Sequence, residues 1–232
     1  MAFFDVFATG NSTFLGNFLE DKTKEKEFRY ISGFLKDKKL EILEIGPGQG
    51  KLSKFFISNG YTNYDVVEPH DLMRNNLLSA GVRKAMSYSI PELQEKDESY
   101  DLIIVSDVFE HLNDFKEGFL FISEAYRVLK KGGKLFILSP DCNDWKMDFW
   151  NCDPSHNLVT TVRRLMVLYH DSKFKILDYQ YNYACFAGLS GYLIGKFVKL
   201  ITFWSSGNSL DSKPYKLRLT FLRRFLIIGE KE

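Results

Sequence analysis

The segment Glu44-Ile45-Gly46-Pro47-Gly48-Gln49-Gly50 constrains this chain more than any other. It follows a short apolar run, Leu40 to Ile45, that reads as a buried parallel strand. Leu52, Phe55 and Phe56 then recur at helical spacing, with a stop at Asn59-Gly60. Strand, glycine turn and helix in that order make a nucleotide site on physical grounds. Glycines let the backbone turn tightly and approach a ligand, and the helix N-terminus offers unpaired N–H groups. Glu68 ends the next strand, Tyr64 to Glu68, about twenty residues on, where a carboxylate can accept both ribose hydroxyls.

Strands and helices go on alternating. Asp71 to Ala80 reads as a helix, Val82 to Met86 as a short strand and Tyr100 to Ser106 as the strongest strand of the chain. Phe115, Phe119, Ile122, Tyr126 and Leu129 mark one face of a helix capped by Asn113 or Asp114 and stopped by Gly132-Gly133. Leu135 to Leu138 is the following strand, Val162, Leu165, Met166 and Tyr169 mark another helix, and Phe174 to Tyr181 and Arg224 to Gly229 are the last two strands. This rhythm predicts an α/β fold, a doubly wound, mostly parallel, seven-stranded Rossmann-like sheet whose ligands bind along the carboxyl edge. We read one domain over 1–232, with a helical lead-in at 1–38, a cofactor-binding core at 39–183, an insertion at 184–222 and a last strand at 223–232.

Two cofactors compete for the turn. A nicotinamide dinucleotide wants glycines at the first, third and sixth positions, but Lys51 occupies the sixth. That favours a smaller ligand without a pyrophosphate. Taken together, E-I-G-P-G-Q-G, V-V-E-P, Y-D-L-I-I-V-S-D-V-F-E-H-L and R-V-L-K-K-G-G-K-L-F-I resemble, in order, the motifs of class I S-adenosylmethionine-dependent methyltransferases. The resemblance covers Leu40 to Pro140. It implies that Glu44, Gly46, Pro47, Gly48, Gln49 and Gly50 hold the amino-acid end of S-adenosylmethionine and Glu68 its ribose. Met86 or Ser87 would lie near adenine, and Ser106 near the methionine portion.

Asp107, Glu110 and His111 fall just past the fourth strand, at a spacing that can aim all three side chains into one pocket. In one reading His111 packs or caps there. In the other, D-x-x-E-H resembles the acidic element of two metal-dependent branches, small-RNA 3′-terminal ribose methyltransferases and ubiquinone-pathway O-methyltransferases. Asp107, Glu110, His111 and His156 would then bind Mg²⁺ or Mn²⁺, with His111 and His156 as alternative general bases. His156 enters from the loop beyond the fifth strand.

The expected reaction is methylation of a hydroxyl on a small-molecule acceptor, such as a sugar or sugar-phosphate of surface polysaccharide synthesis. An RNA 3′-terminal ribose methyltransferase, an NAD-dependent oxidoreductase and a binding module without catalysis are the rivals. The 31 basic residues against 30 acidic ones lack the surplus of a duplex-DNA binder. Cys142, Cys152 and Cys185 have no paired spacing, which suggests a reducing compartment. Met1 to Phe7 has no basic, apolar leader pattern, so a cytoplasmic location is the expectation. Cys185 to Trp204 is apolar for about twenty residues, the length of a bilayer span. Lys196, Lys199, Gly188, Gly191 and Gly195 instead favour a cap packed over the acceptor, with contact at a membrane surface as the lesser reading.

Overall fold

The computed structural model describes residues 14–205 and 212–232. Helices α1 (Phe14–Ser32), α2 (Lys51–Ser58), α3 (Asp71–Ser79), α4 (Phe115–Val128), α5 (Cys142–Trp145), α6 (Asp148–Asn151), α7 (Val162–Asp171), α8 (Gly188–Ile201) and α9 (Lys213–Thr220) surround one sheet. Its strands are β1 (Ile42–Ile45), β2 (Tyr64–Val67), β3 (Lys84–Met86), β4 (Tyr100–Ser106), β5 (Leu129–Pro140), β6 (Phe174–Tyr183), β7 (Phe186–Ala187) and β8 (Arg224–Lys231). Their order across the sheet is β3-β2-β1-β4-β5-β8-β6-β7.

Strands β1 to β5 are parallel, while β8 is antiparallel to both β5 and β6. The carboxyl ends of β1 to β6 therefore share one edge with the amino end of β8. The added eighth strand is the two-residue β7, which folds back on Asn182 and Tyr183. Alternate residues of each central strand face opposite core layers. Leu43, Ile45, Ile103, Val105 and Ile137 pack with α4 and α7, whereas Ile42, Val66, Leu102, Ile104 and Phe136 pack with Ile31, Phe56 and Leu77.

Two local expectations change. The buried face of α4 is Gly118, Phe121, Ile122, Ala125 and Val128, and Phe115 and Phe119 lie at the surface. Both stripes satisfy helical spacing, but close approach selects the one with small residues. A Cβ at Gly118 would sit 3.1 Å from both Phe109 and Leu158. Nor do Gly132 and Gly133 stop that helix. It ends at Val128, and the glycines lie within β5, where the register slips between Tyr100 and Leu102 and Gly132 takes φ 77°.

The segment after β6 departs from the carboxyl edge, forms β7, α8 and α9, and returns to that edge at β8. Gly191 and Gly195 face Tyr183, so α8 lies close on β6. Ala184, Val198 and Phe221 close a small core that reaches Leu19 of α1. Among the described residues no helix is long and apolar enough to cross a membrane.

Candidate active site at the carboxyl edge

The turn after β1 is left-handed at each glycine, with φ 63° at Gly46, 55° at Gly48 and 70° at Gly50. The three do different work. A Cβ on Gly46 would collide with Val108 and one on Gly50 with Leu77, so these two permit close packing. A Cβ on Gly48 would meet nothing within 4 Å. Gly48 therefore borders open space at the edge of the sheet, next to the start of α2. Pro47 is half-buried beside it and Gln49 is exposed.

Glu68 closes this space from the β2 side. One carboxylate oxygen accepts from the His70 N–H at 2.9 Å, and the other accepts from the Gly48 N–H at a long 3.3 Å. Burial pushes its pKa up. Met86 is half-buried and bonds through its carbonyl to the Glu68 N–H at 3.0 Å, with Ser87 exposed beyond it. Glu44, expected at the amino-acid end of the cofactor, points elsewhere. Its buried carboxylate accepts from Ser53 Oγ at 2.5 Å and Tyr64 OH at 2.8 Å. It ties β1 to α2 and β2 beneath the turn, because an acid enclosed by the core must find its donors there.

At the end of β4 a charge network enters from both ends of the chain. Arg224, the first residue of β8, forks onto Asp107, with Nε 3.0 Å from Oδ1 and a terminal nitrogen on Oδ2. Lys24 of α1 donates to Ser106 Oγ at 2.9 Å and to Glu27 at 2.8 Å, and its ammonium lies 3.8 Å from Asp107. Burial favours the neutral acid at Asp107, but Arg224 and Lys24 win and hold its pKa below the usual carboxylate value. Asp107 also takes a left-handed φ of 57°, a strained conformation for a residue with a side chain. Its expected place among metal ligands is thus taken by an ion pair with Arg224. Lys24 and Glu27 belong to none of the sequence motifs. The available signal was Thr23, Glu27 and Ile31 at steps of four, a stripe that is buried although two of its members are polar.

Glu110, His111 and His156 converge beside this network. Each offers a ligand atom within 4.8 Å of the others, and the two imidazole rings meet edge to face at 4.9 Å. The short helical turn Phe109–His111 carries the first two, and the loop after α6 carries the third. His156 is buried, with Nδ1 2.6 Å from the Phe149 carbonyl. Only an N–H can pair there, so Nδ1 is the donor and Nε2 carries the lone pair. His111 Nδ1 lies 2.8 Å from Ser155 Oγ, and that hydroxyl donates to Asp153 at 2.6 Å. With its proton committed to Asp153, Ser155 accepts from His111, which leaves the lone pair on Nε2 again. Ser155 and Asp153 are positioning residues that the sequence motifs did not single out.

Burial lowers the His156 pKa, with the neighbouring His111 adding to that, so its neutral form is favoured. Burial first, and then the Asp107 charge, push Glu110 up to about 8, although Ser139 donates to it at 2.9 Å. Two basic imidazole nitrogens and a proton-holding carboxyl can thus move a proton or hold a cation. Beyond β8, a groove of about 530 Å³ is lined by Tyr181, Tyr183, Tyr192 and Arg223, with the Arg223 guanidinium 4.5 Å over the Tyr181 ring.

Residues 18–179 match the family model described as a methyltransferase domain. The chain is 29% identical over 121 residues to the ubiquinone biosynthesis O-methyltransferase of Pelagibacter ubique, covering 48% of this chain and 47% of the relative. It is 26% identical over 129 residues to the mitochondrial enzyme of that name from Rattus norvegicus, covering 52% and 35%. The chain thus spans at most about half the length of these curated relatives. A Bacillus halodurans structure assigned as a methyltransferase superposes with a TM-score of 0.63 at 15% identity, over 89% of this chain and 98% of its own.

Proposed function

This chain belongs to the methyltransferase-domain family, and from that premise we propose that it is S-adenosylmethionine-dependent and methylates a hydroxyl oxygen, with His156 accepting the proton. The observation that carries the reading is the convergence of Glu110, His111 and His156 at the carboxyl edge with both Nε2 lone pairs available. The cofactor fits the residues present. A side chain at Gly48 would fill the space beside the turn, and the Glu68 carboxylate meets that turn through the long 3.3 Å contact with the Gly48 N–H. S-adenosylmethionine supplies a methyl group already activated on a sulfonium, so the protein contributes placement and proton transfer. His156 Nε2 would accept the acceptor O–H proton as the methyl group is transferred to that oxygen. The Glu110 and Asp107 carboxyl groups stand next to the imidazolium so formed. His111 holds the second face of the pair, its ring edge to face with that of His156 at 4.9 Å.

The relatives named for O-methylation in ubiquinone biosynthesis support oxygen as the acceptor atom. A sugar or sugar-phosphate finds no counterpart in those names. The dinucleotide reading loses further ground, since the Lys51 side chain pairs with Glu20 and Asp21 at the position where close helix packing would want a small residue. We assign the groove beyond β8 and the segment 184–222 to acceptor recognition.

The first test is calorimetric. S-adenosylhomocysteine should bind the purified protein and NAD should not; the reverse would end this reading. Glu68→Ala should weaken S-adenosylhomocysteine by on the order of 1–3 kcal/mol, the loss of charge-assisted hydrogen bonds to the ribose.

A second reading has its own observation, the 4.8 Å cluster of one carboxylate and two imidazoles. The donor set fits Mg²⁺, Mn²⁺ or Fe²⁺ better than a structural zinc, which favours cysteines. The hydrogen bond from His156 Nδ1 to a backbone carbonyl is also the support that ligating histidines usually have. A cation at these residues would supply Lewis acidity to an acceptor oxygen, and adjacent hydroxyls suit it best. Excess chelator should then remove activity and Mn²⁺ restore it, with His111→Ala blind to both while still binding S-adenosylhomocysteine. Full activity in chelator would leave the imidazoles as bases.

A further inference from the structure

Helix α8 is built the wrong way round for a helix at a water surface. Its inward stripe is Gly191, Gly195, Val198 and then Thr202, small or medium residues that bring the backbone onto Tyr183. Its large apolar side chains point outward. Leu189, Leu193, Phe197 and Leu200, with Phe203 and Trp204 just past the helix end, are between 57% and 76% exposed, a row that a lone soluble surface rarely carries.

The charges around this row say what covers it. Lys196 rises from the row itself, its ammonium 5.4 Å over the Tyr192 ring, and α9, packed against α8, adds the exposed Lys213 and Lys216. Asp211 is the one acidic residue in the sequence between Asp178 and Glu230. A second copy seated on this face would bring lysines against lysines. An anionic lipid surface satisfies both features, taking up the apolar row and neutralising its basic margin. Tyr192 stands beside Lys196 in that margin, and aromatic rings with a polar edge partition to the headgroup level.

We propose that α8 is a membrane-surface helix, lying flat on an anionic bilayer with Leu193, Phe197 and Leu200 immersed and Lys196 extended to the headgroups. The sheet edge beside α8 then opens at the lipid surface. This follows from the insertion alone and holds whatever the methyl acceptor is.

Co-sedimentation with vesicles tests it, using phosphatidylcholine alone and a 70:30 mixture with phosphatidylglycerol. The intact protein should partition at least about tenfold more strongly to the mixed vesicles, and added salt should erase most of that difference. The double variant Phe197→Ser/Leu200→Ser should lower partitioning by on the order of a hundredfold, about tenfold for each buried side chain removed. Both positions are exposed, so the variant should keep the melting temperature and far-ultraviolet dichroism of the parent. Lys196→Glu should weaken binding to the mixed vesicles severalfold and leave the neutral vesicles unaffected. Failure to sediment with either vesicle would overturn the proposal, as would unchanged partitioning of the double variant. A concentration-dependent dimer in light scattering that the double variant abolishes would assign the face to a second copy instead.

Discussion

His156→Ala is expected to lower kcat by about 10²–10⁴, the range of a positioned general base, and to leave S-adenosylhomocysteine affinity unchanged. The separation is expected because His156 is fixed by the Phe149 carbonyl on the loop after α6, while the glycine turn and Glu68 lie at β1 and β2. Retained affinity also reports that the variant folds, which matters for a buried ring. A loss below about tenfold would remove His156 from proton transfer. The pH profile adds an independent reading. The base must be neutral, so kcat/KM should fall as pH drops through the His156 pKa. Burial lowers that pKa from the ordinary 6.5, so the acid limb should lie below the ordinary histidine range. An acid limb above 6.5 would contradict the buried, neutral imidazole.

Gly48→Val is expected to reduce S-adenosylhomocysteine binding by at least about a hundredfold, close to three kcal/mol, with the fold intact. Here the steric and conformational effects separate. A Cβ at this position meets no protein atom within 4 Å, so the added bulk enters the space assigned to ligand. The left-handed φ of 55° adds roughly 1–2 kcal/mol of strain to any non-glycine residue, and a β-branched one suffers most. Gly48→Ala carries much of that strain with little of the bulk. It should lower the melting temperature similarly while retaining more of the binding. If both variants bind S-adenosylhomocysteine as the parent does, the ligand lies elsewhere and the turn serves only the fold.

Much of this protein was legible because neighbouring residues decide it. The run Tyr100 to Ser106 is a strand in sequence and in structure, since a continuous apolar stretch has few other places to go. The left-handed turn follows from three glycines in five residues, and the position of Glu68 from the length of one crossover helix. The helix after β4 was recognised, but its buried face was not. Period alone does not choose between two apolar stripes, and the approach distance to the sheet does.

What periodicity cannot carry is the partner of a polar side chain. Asp107 looks like one of a set with Glu110 and His111 because the ends of the motif are only four positions apart. Its actual partner is Arg224, which lies 117 positions away, and Lys24 reaches Ser106 from 82 positions before it. Glu44 likewise carries the expected residue type at the expected strand end, yet its carboxylate faces Ser53 and Tyr64. A buried charge takes whichever donors the packed chain brings within about 3 Å. Those donors are known only once α1 and β8 have closed over the carboxyl edge. The sequence by itself determined the sheet, the turn and the chemical types available at that edge, because apolar pattern and glycine conformation act over a few residues. The tertiary structure alone decided which acids are neutralised by ion pairs, which imidazole nitrogens keep their lone pairs, and which helix turns its apolar side outward.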